Sequence, residues 1–518
     1  MPARPDRTVN NDTGGRPLHR SLLRPLRRTV TAALALSLAG AVVADVGVPR
    51  HAARRPGPGT VRDVPLPFTG GTLTGLGRVT AAGATRLRSA VGLPADWRSP
   101  SVPVGAARMV GLSWRNTPDA PWTTTGGAKA WLRTASSSGW SAWSAAEPAD
   151  DGPDPGSGED HPQLVYTDGV WLAAGTRAVQ VRIELPGRAA ASVEQLSAHL
   201  VEPDLTPVAP DVPPRGGAVA MPMPPAIITR ARWGADERLR RGPPRYASTV
   251  LAAFVHHTGQ TNHYTRAESA ALVRADYLYH VRSRGWSDLG YNFLIDRYGQ
   301  VFEGRAGGVG RPVIGACTAG FNTYTSCVAL IGTFSSARPP AVAMAALRRL
   351  LAWKLDLTHV DPAYTTVLTS AGGGTTRYRR GTRVRVRTIS GHRDTSYTAC
   401  PGAAVYRQIT RLRLAVAATG GPKIYGGGAS AASLDPAEGP PVALASRFKQ
   451  RMRWHVEVTG SNGRVLRRWA GIGRGARVVW NGLDAHGLAA PAGRATFTVT
   501  ATVGGRAARP LTTSVMVR

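Results

Sequence analysis

Three residues in the middle of the chain carry side chains that commonly bind metal ions: His256, His392 and Cys400. His256 ends an apolar run, and the other two lie in Gly391-His-Arg-Asp-Thr-Ser-Tyr-Thr-Ala-Cys-Pro-Gly402. Two imidazoles and a thiolate suit Zn²⁺, and three protein ligands would leave a fourth position for water, as a hydrolytic centre requires. Spacing alone does not select them, because the chain offers alternative ligands in His257, His263, His280 and His359.

The elements that must position these residues have the pattern of an α/β domain over residues 226–418. Strand-like apolar runs alternate there with helical patterns, and the clearest runs are 250–256, 292–295 and 328–334. Tyr298-Gly299 resembles a hairpin turn, which requires an antiparallel pair of strands. The sequence therefore predicts a mixed β-sheet flanked by helices.

Two helices are expected in this domain. The first opens at Thr265 with Glu268 three positions later, a capping box, and places Leu272, Ala275 and Tyr279 on one side. The second follows two prolines and carries a leucine stripe at Leu347, Leu350, Leu351 and Leu355.

The regions on either side of this domain have the alternating pattern of short antiparallel strands. At 518 residues the chain exceeds the size of one hydrophobic core. We predict an N-terminal β-sandwich over 63–202 and a small all-β domain over 447–518. A proline-rich linker over 203–225 and a Gly/Ala/Pro-rich linker over 419–446 would separate them from the α/β domain.

The chain is strongly basic, with 64 Lys and Arg against 32 Asp and Glu, a net charge of +32. Nucleic acid, an anionic membrane and an anionic cell wall would each attract such a charge. The arginines are dispersed and are not interleaved with aromatic residues in one block, so nucleic acid is not the expected partner.

The N-terminus has the pattern of a signal peptide over 1–44. Arg20, Arg24, Arg27 and Arg28 precede an apolar run over 30–44, which is too short for a comfortable membrane span. An uncleaved anchor is the alternative. We expect an exported protein, secreted or in the cell wall, with no stable membrane span after signal removal.

Five motifs occur in order within about 190 residues and carry a family resemblance. They are Ile228-Thr-Arg-Ala-Arg-Trp-Gly-Ala235, Val255-His-His-Thr258, Gly290-Tyr-Asn-Phe293, Val301-Phe-Glu-Gly-Arg305, and Gly391-His-Arg-Asp394 with Thr398-Ala-Cys-Pro-Gly402. The chain resembles the peptidoglycan recognition proteins, also called type 2 N-acetylmuramoyl-L-alanine amidases.

The resemblance implies that His256, His392 and Cys400 bind zinc and that Tyr291 lies beside the metal. It also implies that Thr398, two positions before the cysteine, contacts the reacting centre. His257 has no ligand role in the family and would pack or contact substrate. Members that bind peptidoglycan without cleaving it have generally lost the cysteine, which this chain keeps.

The sequence departs from the family at two places. Cys317 replaces a histidine of many relatives in Gly315-Ala-Cys-Thr, and Cys327 stands where glycine is common. With Cys400 on the metal, this pair is free to form a disulfide in an oxidising compartment. The second departure, Arg305-Ala-Gly307, leaves the stem-peptide preference open.

These inferences combine into one prediction: an exported zinc amidase that cleaves peptidoglycan between N-acetylmuramic acid and L-alanine. Trp480-Asn-Gly-Leu-Asp484 resembles the immunoglobulin-like domain at the end of flagellar hook-capping proteins, so the last domain is expected to be immunoglobulin-like. The alternatives are a non-catalytic peptidoglycan receptor and a structural cell-wall protein. Neither the oligomeric state nor the proton shuttle follows from the sequence.

Overall fold

A computed structural model describes residues 57–68, 71–75, 78–79, 86–89, 94–116, 127–161, 164–185, 191–208 and 224–518. The predicted signal peptide over 1–44 lies outside these residues. Within them, no helix combines the length and the apolar character that a membrane crossing requires. Those residues of the predicted linker over 203–225 that are described contain neither helix nor strand.

The first β region contains two antiparallel sheets that share one hydrophobic core. Side chains from both sheets, such as Leu112 and Val181, belong to this core. Ala178–Leu185 alternates between half-buried and buried residues along its whole length, as a strand with one face on a core should. The strands of the first sheet are Thr60–Pro65, Arg78–Val79, Arg86–Ser89, Met109–Asn116, Leu164–Tyr166, Val170–Trp171 and Ala191–Glu202. The strands of the second are Thr72–Gly75, Ala95–Arg98, Val102–Pro103, Lys129–Ser136, Gly139–Trp140, Ser144–Ala146 and Ala178–Leu185.

The central region contains a six-stranded mixed sheet, as predicted. Its strands, in spatial order, are Ile227–Ile228, Val301–Glu303, Phe293–Ile295, Thr325–Leu330, Ala252–His257 and Ile389–Gly391. Neighbours are parallel except for Phe293–Ile295 and Val301–Glu303, which form the hairpin expected at Tyr298-Gly299. A separate antiparallel pair is formed by Thr365–Thr369 and Arg383–Arg387.

Helices cover both faces of this sheet. Ser269–Leu278 packs on the face that carries Leu294 and Ala329, while Ala341–Asp356 and Ile409–Ala418 pack on the face that carries Val328. The remaining helical elements are Arg230–Trp233, Glu237–Leu239, Tyr279–Ser283, His392–Asp394 and Ala403–Tyr406. The strands are therefore buried on both sides, which explains their continuous apolar runs.

Both predicted helix starts are confirmed, whereas one predicted strand is shorter than expected. Thr265 and Glu268 form the capping box, with each backbone N–H donating to the other side chain, and the regular helix follows from Ser269. The second helix begins directly after Pro340. The strand predicted over 328–334 ends earlier, at Leu330, and Gly332 follows in a left-handed conformation with φ of 132° that a strand cannot continue.

The last β region is one hydrogen-bonded sheet around its own core. Its strands are Ile424–Ala429, Ser433–Leu434, Val442–Thr459, Val465–Trp480, Gly493–Val503, Arg506–Ala507 and Leu511–Val517. The linker predicted over 419–446 is partly wrong, because Ile424–Ala429 pairs with Val442–Thr459 and extends the sheet. Composition misled the prediction, since glycines occupy the exposed part of that strand. The immunoglobulin-like assignment stays a prediction.

Candidate metal centre

The strand register brings His256 and His392 together. Val255 pairs with Gly391 in the neighbouring parallel strand, and the next residue of each chain segment is a histidine. Because parallel strands end at the same edge of a sheet, both imidazoles emerge side by side there. Their ring centroids lie 4.5 Å apart, and both side chains are fully buried.

Cys400 joins the histidines from the loop that follows His392. Its Sγ lies 3.6 Å from His256 Nδ1, and the donor atoms of the three residues all lie within 4.8 Å of one another. Three backbone contacts fix the loop. The Cys400 N–H donates to Thr398 Oγ1 at 2.8 Å, its carbonyl accepts from the Arg393 N–H at 3.0 Å, and its Sγ accepts from the His257 N–H at 3.4 Å.

The unused nitrogens of the histidines fit a metal ligand set. His256 Nε2 lies 3.0 Å from Thr318 Oγ1, which leaves Nδ1 for the side that faces Cys400. Neither ring nitrogen of His392 makes an aligned hydrogen bond to a described residue, although the ring is fully buried and Nδ1 lies 3.3 Å from Asp150 Oδ1. A buried polar atom without a partner costs free energy, and a cation would remove that cost. The donor set and these free nitrogens together fit Zn²⁺.

The electrostatics of the ligands agree with this assignment. Burial holds the pKa of His256 well below its ordinary value, so the ring is neutral, the form that binds metals. Burial raises the pKa of the Cys400 thiol well above its ordinary value. A thiolate at that position therefore requires a nearby cation.

Tyr291 and Thr398 both lie beside this group. The Tyr291 ring centroid lies 5.7 Å from that of His256, and the side chain is buried. Burial raises the pKa of Tyr291 well above its ordinary value, so the phenol keeps its proton at neutral pH. Thr398 Oγ1 accepts the Cys400 N–H and donates to a carboxylate of Asp150.

The alternative histidines lie outside the group. His263 is exposed, while His280 and His359 are each engaged with backbone atoms. His257 Nδ1 accepts the Phe334 N–H at 3.1 Å, and its side chain lines the adjoining cleft, which leaves it a packing or contact role.

Cys317 and Cys327 form a disulfide, and Cys400 is the free cysteine, as expected. The two sulfurs approach His256 closely enough to form a second potential ligand group, but the disulfide removes both thiolates. The bridge instead anchors the loop that carries Thr318, which contacts His256.

A cleft of about 440 Å³ opens beside Cys400. Both the first β region and the central region contribute to its wall. Its lining comprises Ala145, Glu147, Pro148, Ala149, Asp150, Asp168, Val170, His257, Gly259, Thr333, Ser335, Thr375, Tyr397, Thr398, Ala399 and Cys400. The centre is thus bounded in part by a region outside the α/β domain.

Asp150 is a site residue that sequence reasoning missed. Its Oδ1 lies 3.3 Å from His392 Nδ1, without the alignment of a hydrogen bond, and it accepts the Thr398 hydroxyl. Burial favours the neutral acid, but the neighbouring His392 and the Thr398 hydroxyl outweigh this and lower the pKa of Asp150 to about 2. The acidic composition of its loop was the only available signal.

Comparisons with known proteins cover the same part of the chain. Residues 246–403 match the family model described as N-acetylmuramoyl-L-alanine amidase. The chain is similar to peptidoglycan-recognition protein LE of Drosophila melanogaster, with 32% identity over 139 residues that make up 27% of this chain and 39% of that protein. It is 31% identical to peptidoglycan recognition protein 1 of Bos taurus over 190 residues, 36% of this chain and 82% of that protein. It is 32% identical to the N-acetylmuramoyl-L-alanine amidase of Homo sapiens over 190 residues, 35% of this chain and 27% of that protein.

Proposed function

The chain belongs to the family of peptidoglycan recognition proteins and N-acetylmuramoyl-L-alanine amidases, and from this premise we propose that it is a zinc-dependent amidase. Its substrate would be peptidoglycan. The bond cleaved would be the amide between N-acetylmuramic acid and the L-alanine that begins the stem peptide.

The observation that carries this proposal is the buried group of His256, His392 and Cys400, whose donor atoms all lie within 4.8 Å of one another. These three residues would hold the ion. When bound, zinc supplies a Lewis acid and lowers the pKa of a bound water to about 7, which is the chemistry that amide hydrolysis requires. The retained cysteine favours an enzyme over a receptor.

The protein side chains around the ligands have roles of their own. Tyr291 keeps its proton at neutral pH and would donate a hydrogen bond to the oxyanion that develops on the scissile carbonyl. Thr398 would orient the amide through its hydroxyl, since that hydroxyl lies directly beside Cys400. The fixed hydrogen bonds of the loop keep both ligand and hydroxyl in place before substrate arrives.

The remaining assignments concern location and architecture. A secreted or wall-bound protein suits the net charge of +32, because cell-wall polymers are anionic. We assign the first β region as a β-sandwich and the last as an immunoglobulin-like domain, with wall contact or spacing as their roles. A non-catalytic peptidoglycan receptor is the alternative, and it would bind the same substrate without releasing peptide.

Mass spectrometry of peptidoglycan digested by the purified full-length protein tests the proposal. An amidase frees peptides with a new L-alanine amino terminus and leaves glycan chains intact. A chelator should abolish this activity, and added Zn²⁺ should restore it. New sugar reducing ends without new alanine termini would identify a glycosidase, and undiminished activity in metal-free protein would exclude the zinc mechanism.

A further inference from the structure

We propose that residues 150–160 of the first β region, here called the acidic segment, are a built-in competitor of the substrate. The segment accepts hydrogen bonds from donors next to the metal centre. A peptide that carries carboxylates would bind to the same donors. It must leave before an extended stem peptide can enter. This inference rests on the proposed function of the centre.

The acidic segment begins at the metal ligands. Asp150 accepts a hydrogen bond from the Thr398 hydroxyl, and its Oδ1 lies 3.3 Å from His392 Nδ1. The Asp150 backbone carbonyl also accepts the Thr375 hydroxyl at 2.9 Å. While these contacts exist, Thr398 cannot offer its proton to a substrate.

The middle of the segment is held by the loop inside the disulfide. Asp154 Oδ1 accepts from the Gly320 N–H at 2.8 Å and from Asn322 Nδ2 at 2.9 Å. Asn322 Nδ2 also donates to the Gly152 carbonyl at 2.9 Å. These donors recognise a carboxylate and a backbone carbonyl, the two groups that a stem peptide presents.

Two arginines hold the rest of the segment. Arg284 Nη1 lies 2.5 Å from Asp151 Oδ1, and Arg305 Nη2 lies 2.6 Å from Glu159 Oε1. All four side chains are nearly buried, with 4–11% exposed. Buried guanidinium groups require an anionic partner, so these positions demand a carboxylate from some source.

The segment also separates two cavities. Asp150 lines the 440 Å³ cleft beside Cys400, whereas Asp151, Gly152, Pro153 and Pro155 line a second cavity of about 270 Å³ together with Trp286. The segment contains neither helix nor strand, and it turns at residues 154–157, where the Ser157 N–H donates to the Asp154 carbonyl at 3.1 Å. Its withdrawal would join the two cavities into one groove that ends at the metal ligands.

A disulfide lock tests the proposal directly. A Cβ built on Gly152 lies 3.9 Å from the Ala319 Cβ, close to the mean separation of about 3.8 Å in disulfides. The double variant Gly152→Cys with Ala319→Cys should therefore hold the segment in place when oxidised and release it when reduced. The probe is an N-acetylmuramyl tripeptide, and binding to the metal-free full-length protein is measured by calorimetry, so that turnover does not consume the probe.

The oxidised lock should weaken binding at least about tenfold, and reductant should restore it, because apparent affinity scales with the open fraction. The matched controls are each single cysteine variant, and the wild type with reductant, which accounts for the disulfide between Cys317 and Cys327. In the opposite direction, Asp154→Asn should loosen the segment and strengthen binding.

Three outcomes would overturn the proposal. An oxidised lock that binds the probe as the wild type does would show that the segment does not compete. Hydrogen exchange of residues 150–160 can also be measured in the wild type. If saturating probe leaves this exchange unchanged, the segment does not leave when the probe binds. If neither the reduced double-cysteine variant nor Asp154→Asn binds the probe, the proposed function is wrong. The inference about the acidic segment is then wrong as well.

Discussion

Val255 and Gly391 face each other in neighbouring parallel strands, and this pairing places the two histidines that follow them at one edge of the sheet. The sheet therefore positions the two histidines, and the loop that follows His392 brings Cys400 to them. The fold should form with or without metal, while the chemistry should depend on it.

His392→Ala should remove zinc and leave the fold intact. Loss of a residue that merely orients a ligand typically lowers metal affinity about 10- to 100-fold, so loss of a ligand should cost at least as much. Metal analysis after dialysis should find little zinc, circular dichroism should be unchanged, and activity should be absent. The control is His263→Ala, an exposed histidine outside the group, which should keep its zinc. Normal zinc content in His392→Ala would contradict the ligand assignment.

Tyr291→Phe should lower kcat about 100- to 1000-fold and leave KM nearly unchanged, because the proposed hydrogen bond forms only in the transition state. Steady-state kinetics on a muramyl peptide provide the measurement. Tyr324→Phe, at an exposed tyrosine in the same region, is the control and should behave as the wild type. If Tyr291→Phe keeps more than about a third of the wild-type kcat, the tyrosine is structural.

Local patterns predicted the elements of the central region, whereas contacts between distant segments escaped prediction. The capping box at Thr265 and the hairpin at Tyr298-Gly299 depend on residues a few positions apart, so the sequence displays them directly. The ligand trio was identified through family motifs, since spacing could not choose among the histidines. Asp150 meets Thr398 because a loop of the first β region contacts the central region, and no local pattern encodes that contact.

Replacing Cys317 and Cys327 together by serine should lower the free energy of unfolding by about 2–3 kcal/mol, the chain-entropy cost of a short loop. Calorimetry and denaturant titration measure the change. Because the bridged loop carries Thr318, which contacts His256, zinc affinity should fall as well. The control is Ser326→Ala, which replaces a residue between the two cysteines and leaves the disulfide intact. Thiol labelling that finds Cys317 and Cys327 free in the secreted wild type would refute the premise.

Glu159→Gln should destabilise the protein at neutral pH and have little effect in acid. Burial would raise the pKa of Glu159, but the charge and hydrogen bonds of Arg305 outweigh it and lower this pKa below the ordinary value of 4.5. A carboxylate whose pKa is lowered by folding stabilises the folded state above its unfolded pKa, and that stabilisation is lost as the pH falls through the folded pKa.

We expect Glu159→Gln to lower the free energy of unfolding by about 1–3 kcal/mol at neutral pH, which is seen as a Tm lower by several degrees. The Tm values of variant and wild type should converge as the pH falls below about 4.5. The matched control is Asp160→Asn, which changes a neighbouring carboxylate that accepts a 3.3 Å hydrogen bond from the Gly156 N–H. A Tm difference that stays constant from neutral pH into acid would mean that the ion pair with Arg305 does not hold the acidic segment in place.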